Sequence, residues 1–195
     1  MKYIVKAIAG LLMILLTTAC SVPLKQPVLH DFGLLTPIST YQGKQNIGPT
    51  ITVDAPTWLW DNRIRYRLLY APKTRIGFYA LDLWIASPPE LFEQQLLASG
   101  KFQNFSIKLS MHTFEQQFLA PHSAKVVLRF SVQAYSENKK RKLGFQEFSL
   151  EHATITADAA GAVTGFTELT QQAVDKIQKW LSGLSDKPLT SGKDG

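Results

Sequence analysis

Phe105-Ser106-Ile107-Lys108-Leu109-Ser110-Met111-His112 is the stretch that decides the fold class. Apolar and polar side chains alternate through it, so an extended chain presents one oily and one wet face, the pattern of a half-buried antiparallel strand. Val126, Leu128, Phe130, Val132 and Ala134 repeat it further on. A charged turn over residues 137–142 then leads to a strand over 143–155, where Phe145 and Phe148 break the alternation and predict a bulge. Helical signals flank this block on both sides. Ahead of it, Ser87 is placed to cap, Pro88 to take the first helical position and Glu90 to complete a capping box. Leu91, Phe92, Leu96 and Leu97 give that helix an apolar face, and Gly100 a stop. Behind the block, Phe166, Leu169, Ala173, Ile177, Trp180 and Leu184 recur every three or four residues, an amphipathic helix with Gly183 near its end.

Upstream, residues 50–53, 63–70 and 75–83 are rich in β-branched and aromatic side chains and bounded by Pro, Asn and Asp, which predicts three more strands. The order β-β-β-α-β-β-β-α predicts an α+β fold, a mixed or antiparallel sheet of about six strands with two helices packed on one face. At 195 residues, 45% hydrophobic and 18% charged, the chain suits one folded domain. The net charge of +6 is spread along the chain, which argues against a nucleic-acid binder. One Cys excludes an intramolecular disulfide or a multi-thiolate metal site.

That Cys is at position 20. Lys2 and Lys6 precede an uncharged apolar run over 7–16, too short to span a bilayer, which needs about 20 residues. Thr17-Thr18-Ala19 then puts small residues directly before Cys20. The arrangement reads as an export signal over 1–19 with cleavage at the Cys. It resembles a bacterial lipoprotein precursor, although Thr17 stands where such motifs usually carry Leu. The resemblance implies that Cys20 becomes the N-terminus, carrying a diacylglyceryl group and a fatty acid such as palmitate. Ser21 in place of Asp resembles the outer-membrane sorting pattern. Losing the signal takes away Lys2 and Lys6, so the mature chain would carry +4.

The four prolines and three glycines between Pro23 and Pro49 make residues 20–49 a lipidated N-terminus and tether. Within it, residues 30–34 look more ordered, an edge strand laid on the domain. The folded domain is expected over 50–184 and a flexible tail over 185–195.

Several ordered features carry a wider resemblance. They are Cys20, the early His30-Asp31-Phe32-Gly33, Ile51-Thr52-Val53 leading into Ala55-Pro56, Ile64-Arg65-Tyr66-Arg67, and Tyr79 ahead of Trp84-Ile85-Ala86-Ser87-Pro88-Pro89. In this order they resemble the ABC-type transport auxiliary lipoproteins, the family that includes the paraquat-inducible Pqi-type lipoprotein. His30 replaces the usual aromatic. The resemblance implies a periplasm-facing outer-membrane lipoprotein working with a mammalian-cell-entry-type protein, a permease and an ATPase that move lipids between the two membranes. It assigns no chemistry to the lipoprotein itself; a ring of identical copies would suit a conduit. The alternative is an envelope-assembly scaffold supporting an outer-membrane barrel or a cell-wall enzyme.

The residues themselves nominate no catalyst. His30, His112, His122 and His152 show no metal-ligand spacing, and there is no Gly-x-Ser-x-Gly elbow or Gly-rich phosphate loop. Glu90 and Glu93 are explained by capping and the helix dipole. No cofactor is expected, and the chain reads as a non-enzyme. Two sets of residues are candidates for partner binding. Lys139-Lys140-Arg141-Lys142 is either a solvated hairpin tip or a contact for anionic headgroups or an acidic partner. Trp58 and Trp60 form either an exposed anchor for a partner or a pair buried against the sheet.

Overall fold

The computed structural model describes residues 25–33, 50–136 and 139–185. In chain order the elements are β1 (Val28–His30), β2 (Ile51–Asp54), a 3-10 turn (Thr57–Leu59), β3 (Arg63–Leu68), β4 (Ile76–Trp84), α1 (Pro88–Ala98), β5 (Phe105–Ala120), β6 (Ser123–Ser136), β7 (Lys142–Ala153) and α2 (Ala159–Ser185). The seven strands form one mixed sheet in the order β1-β4-β3-β5-β6-β7, with β2 also paired to β5. This is the expected α+β architecture. Its additional strand, β1, lies inside the stretch expected to be tether. Val28 and Leu29 pair in parallel with Asp82 and Leu83, and Phe32 is buried two residues after the strand. Burying that ring, edge-on to Trp84 at 5.1 Å, favours docking this segment over leaving it in water.

β5 is the spine. Its first half pairs with β2 and its second half with β3, both parallel and on the same flank, while β6 runs antiparallel along the whole of its other flank. The register slips at His112, between Met111 and Thr113. Ile107, Leu109 and Met111 face the core before the slip, and Phe114 and Phe118 after it, so the strand runs well beyond the expected 105–112. The bulge expected from Phe145 and Phe148 is absent at that place. The β6–β7 ladder is unbroken from Gly144 to Ala153, with Phe148 turned to the core and Phe145 to solvent. The irregularity sits at Leu143, where Lys142 and Gly144 face consecutive residues of β6.

Both helices lie on the core face. Phe130 of β6 stacks on Phe148 at 4.9 Å and meets Phe92 of α1 edge-on at 5.8 Å. Phe148 in turn meets Trp180 of α2 at 6.2 Å. Near the other end of α2, Phe166 stacks on Phe114 at 3.8 Å beneath Trp84. The α1 capping box forms as the sequence predicts: the Glu90 carboxylate accepts from the Ser87 N–H at 3.0 Å and from its hydroxyl at 2.6 Å. Gly100, at φ 64°, ends that region in the left-handed conformation a glycine adopts without penalty. Glu93 does more than favour the dipole. It accepts from the Val53 N–H at 2.9 Å, satisfying a β2 group that faces away from β5. α2 begins before the first expected apolar position, because Asp158 caps it: its carboxylate accepts from the Gly161 N–H at 2.8 Å.

Candidate docking surfaces

The chain between β2 and β3 leaves the sheet beside the β5 bulge and turns over Pro56. The Leu59 N–H donates to the Pro56 carbonyl at 2.8 Å and the Trp60 N–H to that of Thr57 at 3.2 Å. Three residues per turn put Leu59 inward, where it is buried, and its neighbours outward. Trp58 is 63% and Trp60 44% exposed. The Trp60 indole N–H donates to the Ala55 carbonyl at 3.0 Å, which fixes that ring while leaving much of its surface uncovered. Of the two arrangements the sequence allows for this pair, the structure has the exposed one.

Lys139, Lys140, Arg141 and Lys142 are all exposed; the first three lie between β6 and β7 and Lys142 opens β7. The Ser136 N–H donates to the Arg141 carbonyl at 2.9 Å and the Lys139 N–H to the Ser136 carbonyl at 2.7 Å. Lys139 has φ 59°, a turn conformation unusual for a side-chain-bearing residue. With Lys108, Thr50, Thr52, Ser106 and Tyr135 it lines a shallow cavity of about 260 Å³. The tryptophan turn and the basic tip are separate surfaces. β2 ends at the level of Ser131 and the tip follows Ser136, a separation along β6 of roughly 17 Å. Cys20 lies outside the described residues.

The solvent face of the sheet holds a charged cluster built on β3. Arg63, Arg65 and Arg67 alternate along β3, and their guanidinium groups meet carboxylates. Asp61 accepts from Arg63 and Arg65, each at 2.6 Å. Glu115 takes Arg67 bidentately, at 2.9 Å for both bonds. Burial pushes the Asp61 carboxyl up, but the hydrogen bonds from Arg63 and Arg65 prevail and hold it below its ordinary value. The hydrogen bond to Glu115 raises Arg67 further, so that guanidinium stays charged. Val127 lies opposite Glu115 and Glu151 and is fully buried on this otherwise wet face. The period-two arginines were the available signal; the pairing of Arg67 with Glu115 was not, because Glu115 lies beyond the bulge in β5.

A second polar group sits in the core. The Tyr79 hydroxyl donates to Gln116 Oε1 at 2.6 Å, and Gln116 Nε2 donates to the Asp158 carbonyl at 3.2 Å. Burial pushes the Tyr79 phenol well above its ordinary range, so it stays protonated and donating. Three of the histidines pair singly: His30 with Asp82 at 2.9 Å, His112 with Ser131 at 3.0 Å and His152 with Glu168 at 2.7 Å. Among the described residues no three His, Cys, Asp or Glu side chains converge on one point.

No family model matches the sequence, and no curated protein matches it. Solved structures do. A protein from Xanthomonas campestris assigned to the family model DUF330 superposes with a TM-score of 0.64 at 12% identity, over 81% of this chain and 96% of that one. An uncharacterized protein superposes at 0.61 and 12% identity, over 80% and 99% of the two chains. A chain from Caulobacter crescentus described as a lipoprotein overlaps 51% of this chain at 16% identity and a TM-score of 0.42, too partial to extend the fold assignment. At 12% identity the first two likenesses are ones of fold: this chain has the fold of the DUF330 protein.

Proposed function

We propose that this protein is an envelope lipoprotein, acylated at Cys20 and held at the periplasmic face of the outer membrane. There it serves as the auxiliary docking component of an ABC-type, mammalian-cell-entry-associated system that moves lipids between the two membranes. The observation that carries the docking role is the Trp58–Trp60 pair. Two large rings project from a rigid turn that Leu59 pins to the core, the arrangement of anchors that fill pockets on a partner. The export signal and Cys20 support the anchor, and the order of motifs from His30 to Pro89 supports the transport system. In this reading the protein has no enzymatic activity, and the ATPase and permease are separate subunits. Lys139 to Lys142 offer a second, electrostatic contact to an acidic partner.

The test is photo-crosslinking in intact membranes from residue 58 or 60, with partners identified by mass spectrometry. A mammalian-cell-entry-type protein is the expected product. Products confined to an outer-membrane barrel or a cell-wall enzyme would replace the transport role with the scaffold role. The Trp58→Ala/Trp60→Ala double variant is expected to lose co-purification of the partner in native detergent while its urea midpoint stays close to that of the parent. Retained co-purification would overturn the assignment of these two residues.

A further inference from the structure

We infer that the β1 edge of the sheet is seated on the membrane, its apolar side chains among the lipids to which Cys20 is anchored. This rests on the lipoprotein reading above and adds an orientation to it. Only Ser21-Val22-Pro23-Leu24-Lys25-Gln26-Pro27 separates Cys20 from Val28. Fully extended, that chain reaches roughly 28 Å. Because Val28 is already paired with Asp82, the linker cannot hold the domain far from the bilayer; it delivers the β1 edge to it.

That edge exposes three apolar side chains, with the exposed carboxylate of Asp31 next to them. Val28 is 53%, Leu29 57% and Ile85 61% exposed; the Ile85 N–H donates to the His30 carbonyl at 2.8 Å and Ile85 shares a cavity with Leu29, while Val28 points to the other face of the strand. Leu29 and Ile85 line this open cavity of about 320 Å³ together with His30, Asp31, Gly33, Val163 and Thr167. Insertion to the depth of interfacial side chains, about 5–10 Å, would cover Val28, Leu29 and Ile85. Lys25, the one charged residue of the linker, suits an anionic headgroup region. β7, at the opposite edge, presents Lys142, Glu147 and Glu151 to solvent instead. A protein strand is a poorer occupant, since β1 offers only three residues of backbone to pair with.

The experiment uses full-length protein reconstituted into phosphatidylethanolamine–phosphatidylglycerol vesicles, after intact mass has established acylation of Cys20. Single variants Leu29→Cys, Ile85→Cys and Phe145→Cys carry an environment-sensitive fluorophore; an acylated Cys20 has no free thiol to compete. Brominated lipid is expected to quench the labels at 29 and 85 strongly and the label at 145, on the opposite edge, not at all. Unquenched labels at 29 and 85 on acylated protein would overturn the membrane seat and leave the anchor standing. Labels at 29 and 85 already shielded in detergent, with a doubled mass, would assign the edge to a second copy and also overturn it. An unmodified Cys20 would overturn the anchor and the seat together.

Discussion

Gly161 and Gly183 belong to the same helix and answer to opposite constraints. A Cβ at Gly161 would come within 2.0 Å of the Thr156 carbonyl oxygen, whereas one at Gly183 would meet nothing within 4 Å. Gly161→Ala is therefore expected to destabilise the protein by about 1–3 kcal/mol through overpacking. Gly183→Ala should stabilise it by up to about 1 kcal/mol through helix propensity. Urea unfolding at constant m-value reads both. Two capping carboxylates, beside Asp61, contribute to the acid sensitivity of the fold. Glu90 is held below its ordinary pKa by the Ser87 hydroxyl and N–H, and Asp158 by the Gly161 N–H and the Thr156 hydroxyl. A carboxyl lowered in the folded state contributes stability that is fully present above its unfolded value, about 4, and is lost as pH falls through the folded one. The urea midpoint should thus drop as pH is lowered from about 4.5, and Glu90→Gln with Asp158→Asn should make that drop smaller, the part due to Asp61 remaining. The first of these caps was readable in the sequence because Ser87 and Glu90 are three residues apart and followed by apolar periodicity. The second was hidden by Gly161 and Gly165, poor helix formers whose small size answers to Thr156 and to Val126 on a distant strand.

At the scale of elements, the strands around 105–112 and 126–134 were legible because one face is buried and the other wet along their length. The extent of β5 was not. The slip at His112 moves the alternation by one residue, so Phe114, Gln116 and Phe118 fall out of step with Ile107, Leu109 and Met111 although all face the core. Gln116, fully buried, also disguises that face as polar. Two substitutions probe it. Phe114→Ala removes a ring stacked at 3.8 Å on Phe166 and should cost about 3–5 kcal/mol. Tyr79→Phe strips Gln116 Oε1 of its donor and should cost about 1–3 kcal/mol, because the acceptor remains buried. Chemical denaturation of each variant against the parent gives these values; an unchanged midpoint for Tyr79→Phe would show that Gln116 finds another donor.

For the molecule as a whole, the helix-covered and solvent faces of the sheet could be anticipated from patterning, and the docking surfaces only in part. A basic run between two strands reads as a hairpin tip on local grounds, and it is one. The exposure of Trp58 and Trp60 depends instead on which residue of a three-residue turn points inward, and that is not written locally. An edge strand was expected over residues 30–34, but β1 is Val28–His30 and shares only His30 with it; its parallel pairing to β4 is a contact between distant parts of the chain. That connectivity also governs timing. Val28 has no partner until Asp82 arrives, and Ile51 none until Ile107. The antiparallel β5–β6–β7 meander closes through short turns, while those parallel pairs must first close long loops, which is slow. The C-terminal half is thus the template, and the earliest strands are recruited to it last. Any machinery that takes this chain N-terminus first handles a leading third that cannot complete its own pairing and so cannot jam by folding too soon.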